Sequence, residues 1–200
     1  MKFFKENSYD VIRLFINQIG IAIFSLILYT ALGMVNLESG NHYTIKAIIS
    51  AFAILFYFAL IYTVAWDWGA KDKIRIDGKR MEPIKLKGAK LAFWANVPNF
   101  VFSFIYALTM GLYCLGIEGV KNLSAIFNVI VRFIMSMHLG FLQAIFSFLA
   151  DNQYVYHFWQ AVGYFIVPIF AIAVTELGYS LGMREKKIFG SIRNKKRITK

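Results

Sequence analysis

Five long apolar segments divide this 200-residue chain, and their length constrains its fold more than any other feature. A helix needs about 20 residues to cross a hydrocarbon core of roughly 30 Å, so each segment is long enough to span a membrane. Soluble domains contain about 45–50% apolar residues, whereas this chain contains 58%. The sequence therefore predicts one membrane domain over residues 1–200, an all-α bundle with apolar segments at 14–35, 44–66, 91–117, 124–150 and 156–183.

The positive charge is confined to a few parts of the chain. Nineteen of the 22 basic residues lie before residue 14, in a loop at 67–90 and in a tail at 184–200. Because Lys and Arg are concentrated in cytoplasmic loops of membrane proteins, this distribution predicts that both termini, the loop and the tail are cytoplasmic. The predicted location is a membrane that the chain crosses several times.

That orientation creates a parity problem, since three apolar segments separate the basic loop from the basic tail. The two can share one side only if one of these segments fails to cross. Segment 124–150 is the candidate, because small or polar residues recur about every four positions opposite an apolar face. We predict four crossings plus an amphipathic re-entrant or interfacial helix, with five crossings as the alternative. The polar series is Ser124, Asn128, Arg132, Ser136, Gly140, Gln143 and Ser147.

The basic loop contains a possible β-hairpin. Residues 73–76 and 84–87 alternate basic and apolar side chains, and Asp77-Gly78 between them is a tight-turn signal. Pro83 weakens the second strand because it lacks a backbone donor. The charges of the loop and tail are expected to contact anionic lipid headgroups. No nucleic-acid-binding motif accompanies them, so no nucleic-acid partner is predicted.

Polar residues inside the predicted spans are the best indicators of a site. Gln18 lies near the cytoplasmic start of the first span, and Asn96 and Asn99 share one helix face. Glu176 lies about 10 Å from the cytoplasmic end of the last span, at ~1.5 Å per residue. With four crossings, these four residues reach the same inner third of the bilayer. They predict a polar vestibule open to the cytoplasm, with Glu176 as an ion, proton or cationic-ligand site, although simple cross-bonding between helices is the alternative.

Arg132 is the candidate intramembrane charge of segment 124–150. If the segment crosses, Arg132 and Glu176 can approach each other across the bundle. If it does not, Arg132 can extend to the outer surface along its aliphatic stem.

The sequence contains no catalytic or metal-binding pattern. Cys114 is the only cysteine, and His42, His138 and His157 are scattered singly, without HExxH spacing. We therefore predict that the protein is not an enzyme and needs no cofactor or metal.

Four stretches carry a resemblance to a known group. They are NQIGIAIFSLIL in the first span, WDWGAKDKIRIDGKR after the second, KGAKLAFWANVPNF opening the third, and LGYSLG before the tail. With them, the chain resembles small polytopic membrane proteins of Gram-positive bacteria, particularly clostridia. The resemblance covers most of the length and is weak in segment 124–150. It implies a bacterial inner-membrane location, and it carries over no catalytic residue.

Two function hypotheses follow from these observations. The predicted vestibule favours a transport or channel-like component. The alternative is an interaction or regulatory membrane protein that docks a partner or anionic lipid through its basic loop and tail. The oligomeric state stays open.

Overall fold

The computed structural model describes residues 2–33, 42–147 and 153–186, and this part of the chain is helical without any strand. A short helix, α1 (Lys2–Glu6), precedes the first long helix. Between the third and fourth long helices lie a 3-10 turn (Glu118–Val120) and two short helices, α5 (Lys121–Ile134) and α6 (Ser136–Ser147). The four long helices are α2 (Ser8–Gly33), α3 (His42–Asp77), α4 (Lys87–Cys114) and α7 (Gln153–Met183).

The four long helices are each long and apolar enough to cross a membrane. Large apolar side chains such as Ile16, Leu55 and Phe104 are exposed on the outside of the bundle, as contact with lipid requires. These features indicate a multi-pass integral membrane protein and confirm the predicted all-α bundle.

The long helices alternate in direction, which gives the bundle two distinct ends. Asp72 near the end of α3, Lys87 at the start of α4 and Tyr179 near the end of α7 are in contact. Phe4 of α1 packs against Trp94 of α4, with ring centroids 5.3 Å apart. We call the end where α2 and α4 begin and α3 and α7 end the basic end, and the opposite end the far end.

Helix α7 packs extensively against α3 and α4, and glycines permit the close approach to α3. A Cβ atom at Gly182 would overlap the carbonyl oxygen of Trp66. One at Gly178 would lie 2.7 Å from the carbonyl oxygen of Tyr62. Gly178 and Gly182 are four apart on one face, the spacing that lets membrane helices pack backbone to backbone.

Segment 124–150, which raised the parity problem, contains a broken helix. The axes of α5 and α6 differ in direction by 86°, and the break falls at Met135. Ser136 begins α6, and its hydroxyl donates a hydrogen bond to the carbonyl of Ala22 on α2. The pair therefore forms a V whose tip is at residues 135–136.

Contacts along the V show how deep it reaches. The Ser124 hydroxyl contacts Met110 Sδ near the far end of α4, whereas Met135 at the tip contacts Ser103 in the middle of that helix. Beyond the tip, Gly140 donates its N–H to Ser50, and Gln143 accepts a hydrogen bond from Tyr29 near the far end of α2. The V thus enters from the far end, reaches mid-bundle and returns, as the predicted re-entrant helix does.

The predicted β-hairpin in the basic loop is wrong, because α3 continues through its first strand to Asp77. The ion pairs Lys71–Asp67 (2.6 Å) and Lys73–Asp77 (2.9 Å) have the i, i+4 spacing that supports a helix. The Asp77-Gly78 pair belongs to a helix end. The N–H of Lys79 bonds to the Ile76 carbonyl and that of Arg80 to the Arg75 carbonyl, with Lys79 left-handed, which is a Schellman motif.

The helices extend beyond the apolar segments that predict them. Helix α2 begins six residues before the predicted 14–35, and the connection between α3 and α4 covers only 78–86 of the predicted loop 67–90. The predicted tail lies mostly outside the described residues, which end at Lys186.

Candidate functional site

One face of α4 carries a series of polar residues through the interior of the bundle. Asn96, Asn99, Ser103 and Tyr106 recur at intervals of three or four, so they lie on one face of the helix. All four are buried. Polar side chains in a membrane bundle normally face its interior, where they mark substrate and ion pathways. We call these four residues the polar column.

The lower part of the column joins three of the four predicted vestibule residues. The Asn99 amide donates hydrogen bonds to Gln18 Oε1 of α2 (2.9 Å) and to Asn96 Oδ1 (2.8 Å). The Asn96 amide donates to the Ala92 carbonyl one turn earlier. Gln18, Asn96 and Asn99 are each at most 4% exposed. The structure thus brings them together as a closed polar layer between α2 and α4.

Glu176, the fourth predicted vestibule residue, lies closer to the basic end. Its Oε2 accepts a hydrogen bond of 2.8 Å from the backbone N–H of Ala89, in the first turn of α4. Ala89 precedes Asn96 by two turns, about 10 Å at ~1.5 Å per residue. The first N–H groups of a helix have no partner within it, and a carboxylate there also favours the helix dipole. This contact gives Glu176 a capping role between α7 and α4.

A buried ion pair closes the basic end beside this cap. Lys87 Nζ lies 2.7 Å from Asp72 Oδ2, and the side chains of Lys87 and Asp72 are 8% and 4% exposed. The same oxygen accepts a hydrogen bond from the Tyr179 hydroxyl at 3.0 Å, and Arg75 lies 3.5 Å from Oδ1. We call Asp72, Lys87 and Tyr179 the basic-end clamp, because they join α3, α4 and α7.

Sequence reasoning missed the clamp. Lys87 is one of the eight basic residues in the loop 67–90 whose charges indicate topology, and Asp72 lies among them without a predicted role. The available signal is that an acid within a strongly basic segment needs a partner if it is buried. The residue spacing does not show which lysine that is.

Arg132, on α5 near the tip of the V, does not contact Glu176, the partner expected if the segment crosses. Its Nη2 donates a hydrogen bond of 3.0 Å to Gln160 Oε1 on α7. Glu176 is bonded to Ala89 at the basic end instead. Arg132 is also within electrostatic reach of Tyr106, Tyr164 and His157. The far half of the bundle therefore contains a second polar cluster, which we call the Arg132 cluster.

Several buried polar atoms of this cluster have no hydrogen-bond partner among the described residues. Tyr106, Tyr164 and Gln160 are fully buried, each at 0% exposure. Fewer than about one in ten buried polar groups in proteins lacks a partner, so a concentration of them in one place needs an explanation. The atoms are the hydroxyls of Tyr106 and Tyr164, Arg132 Nε, Gln160 Nε2, Asn128 Oδ1 and His157 Nδ1.

A pocket of about 250 Å³ opens beside the cluster, between α4, α5 and α7. Lys121, Asn128 and His157 supply part of its polar lining, and Met110 and Ala125 part of its apolar lining. Asn128 is one turn before Arg132, and His157 is one turn before Gln160. Pocket and buried cluster therefore occupy the same helix faces at successive depths.

Within residues 2–33, 42–147 and 153–186, no group of three His, Cys, Asp or Glu side chains is placed to hold a metal ion. Comparison with protein-family models, with curated proteins and with solved structures finds no match to this chain.

Proposed function

We propose that this protein is a transport component whose substrate pathway follows the polar column. The single observation that carries this proposal is the re-entrant V, whose tip meets the column at mid-bundle through the Ser103–Met135 contact (3.7 Å). Broken helices that meet near the bilayer midplane form the substrate sites of many transporters, because non-helical backbone at that depth is tolerated where it is buried or lines a cavity.

The column supports the proposal because it continues on both sides of the V tip. Towards the far end it leads through Tyr106 to the Arg132 cluster and its pocket. Towards the basic end it leads through Asn99 and Asn96 to Glu176 and the clamp. The described conformation is closed at the V tip and at the clamp, so transport requires both contacts to open.

We further propose that the basic end faces the cytoplasm of a bacterial cell, on the positive-inside rule. The layer of Gln18, Asn96 and Asn99 is then the inner vestibule, separated from the cytoplasm by Glu176 and the clamp. The pocket beside Arg132 opens in the outer half of the membrane.

A second candidate function is docking of anionic lipid or an acidic partner at the basic end. Lys79, Arg80 and Lys85 are exposed there beside two exposed apolar side chains, Ile74 (71%) and Leu86 (61%). Basic and apolar groups side by side favour binding to an anionic membrane surface. Replacing the three basic residues by Gln removes this function and leaves the transport pathway intact.

Transport is tested in two steps with the purified protein. A panel of carboxylates, phosphates, amines, sugars and amino acids is first screened for saturable increases in melting temperature. Uptake of each stabilising solute is then measured in proteoliposomes. We expect uptake to be lost in Ser103→Phe, which fills the column, and retained in Val101→Phe, which adds the same ring to an exposed position on α4. A panel with no stabilising solute, or uptake equal to that of empty liposomes, contradicts transport.

A further inference from the structure

We propose that the pocket beside Arg132 binds a small anion, through a carboxylate or phosphate group. This inference rests on the proposed transport function and names the chemical class of its ligand. It starts from the charge of Arg132. No Asp or Glu of the described chain lies within ion-pair distance of its guanidinium, and the only hydrogen bond it donates there is to the neutral amide of Gln160.

The surroundings of Arg132 do not compensate its charge. A guanidinium away from water is costly unless a negative group accompanies it. Arg132 lies in the last turn of α5, whose C-terminal carbonyls supply the equivalent of roughly half a negative charge. These carbonyls compensate only part of the charge of the half-buried guanidinium, and a bound anion can supply the rest.

Four of the six unpartnered atoms belong to groups that can donate to an anion, whereas Asn128 Oδ1 can only accept. Gln160 Oε1 already accepts from Arg132, which leaves the two N–H bonds of Gln160 Nε2 to donate. Arg132 Nε is a donor by chemistry, and the hydroxyls of Tyr106 and Tyr164 can each donate one hydrogen bond. The buried cluster therefore offers four donor groups from three helices. A cation or an apolar ligand would leave these donors unsatisfied.

The pocket sets the size of the ligand and adds charge at its entrance. Lys121 supplies a second cation, and the side chains of Asn128 and His157 can each present a donor. A volume of about 250 Å³ lies slightly below the range of drug-sized sites. It fits inorganic phosphate, a short carboxylate or a single lipid phosphate, which share the chemistry that Arg recognises.

Binding is measured by scanning fluorimetry and isothermal titration calorimetry at constant ionic strength, in a neutral detergent. The soluble probes are inorganic phosphate, acetate and succinate, with choline and glycerol as cationic and neutral comparisons. The lipid arm compares nanodiscs of phosphatidylglycerol with nanodiscs of phosphatidylcholine. Stabilisation by the soluble anions indicates a free solute, and stabilisation by phosphatidylglycerol alone indicates a lipid headgroup. Both results support the proposal.

Three variants and one control locate the site. We expect Arg132→Gln to weaken anion binding by about tenfold or more, because a charge-assisted contact is lost. Arg132→Lys should weaken anion binding less, since lysine keeps the charge but cannot form the bidentate hydrogen bonds of a guanidinium. Lys121→Gln should weaken it at the entrance, and it replaces Arg132→Gln as the decisive variant if that protein does not fold. Arg80→Gln removes the same charge from an exposed position at the basic end and should bind like the wild type.

Three results overturn the proposal. The first is anion affinity that is equal in the wild type, Arg132→Gln and Lys121→Gln. The second is a stabilisation by choline or glycerol that disappears in Arg132→Gln. This result would show that the site binds a cation or a neutral solute, and it would not contradict transport. The third is the absence of any response to phosphate, acetate, succinate and phosphatidylglycerol, which overturns the anion site, while transport is then decided by the wider panel of solutes.

Discussion

Ionisable and hydroxyl side chains have bonding partners at the basic end of this bundle, whereas several in the far half lack them within the described chain. At the basic end, Asp72 is paired with Lys87 and Tyr179, and Glu176 is bonded to the Ala89 N–H. In the far half, Arg132 has only a neutral partner among the described residues, and the buried Tyr106 and Tyr164 hydroxyls have none there.

This difference separates stability from binding. A closed set of buried partners holds helices in one arrangement, and removing one member leaves a charge exposed to an apolar interior. A group of hydrogen-bond donors without acceptors does not stabilise the fold, and the donors are satisfied only when a ligand binds. The basic end therefore has the features of a structural clamp, and the Arg132 cluster has those of a binding site.

The largest change in stability is expected on replacing Lys87. Lys87→Met removes the closer and buried cation of Asp72 and leaves only the exposed Arg75, 3.5 Å from Oδ1, and we expect a loss of about 3–5 kcal/mol in the free energy of unfolding. Thermal unfolding monitored by tryptophan fluorescence measures the change. The matched control is Lys85→Met, an exposed residue two positions away. Equal melting temperatures for the two variants would contradict the clamp, as would failure of the Asp72→Asn/Lys87→Met double variant to recover stability.

The next effect concerns the contact between α3 and α7 near the same end. Gly182→Ala should cost about 1–3 kcal/mol, because its methyl group overlaps the Trp66 carbonyl and forces the helices apart. The control is Gly20→Ala, where no atom lies within 4 Å of the added Cβ, and where we expect no loss or a gain of up to about 1 kcal/mol. If both substitutions have the same effect, the close approach is not what fixes this interface.

A smaller effect at Glu176 distinguishes its two roles. If Glu176 only caps α4, Glu176→Gln keeps an oxygen for the Ala89 N–H and loses the charge, at a cost of about 0.3–1 kcal/mol. Its melting temperature should then follow pH and ligand concentration in parallel with the wild type. If Glu176 is the ion or proton site that the sequence predicts, the variant loses a pH- or ligand-dependent shift that the wild type shows.

The smallest effect is expected at Arg132. Arg132→Gln removes a half-buried charge that no described acid balances, so the lost hydrogen bond to Gln160 is offset and stability should stay within about 0.5 kcal/mol of the wild type. The same unfolding measurement as for Lys87→Met gives the contrast directly. A loss as large as that of Lys87→Met would show that Arg132 belongs to a structural network, contrary to its proposed role.

The sequence predicts most of the fold, because hydropathy and charge act over long segments. The four long helices and the unusual status of segment 124–150 follow from apolar length and from the parity of the basic segments. The break at Met135 does not, since it coincides with contacts of Ser136 and Gly140 to distant parts of the chain, on α2 and α3. The hairpin prediction is wrong for a local reason: Asp77-Gly78 is compatible with both a hairpin turn and a Schellman helix end.

Only part of the candidate site is predictable from the sequence. Asn96 and Asn99 are three apart on one helix, so their joint position is predictable, and Gln18 joins them through the four-crossing topology. Contacts between distant segments are not predictable in this way. The pairing of Lys87 with Asp72 and of Arg132 with Gln160 depends on the depth and rotation of helices that one sequence does not define.

The central claim is that the V formed by α5 and α6 enters and leaves the bundle at the far end. The direct test uses single cysteines at Arg80→Cys, Glu118→Cys and Gln153→Cys in a Cys114→Ser background, labelled in intact cells with a membrane-impermeant maleimide. Permeabilised cells serve as the control for reactivity. We expect Glu118→Cys and Gln153→Cys to be labelled alike and Arg80→Cys to behave oppositely. If Gln153→Cys instead behaves like Arg80→Cys, the segment crosses the membrane, and the re-entrant site around Arg132 does not exist.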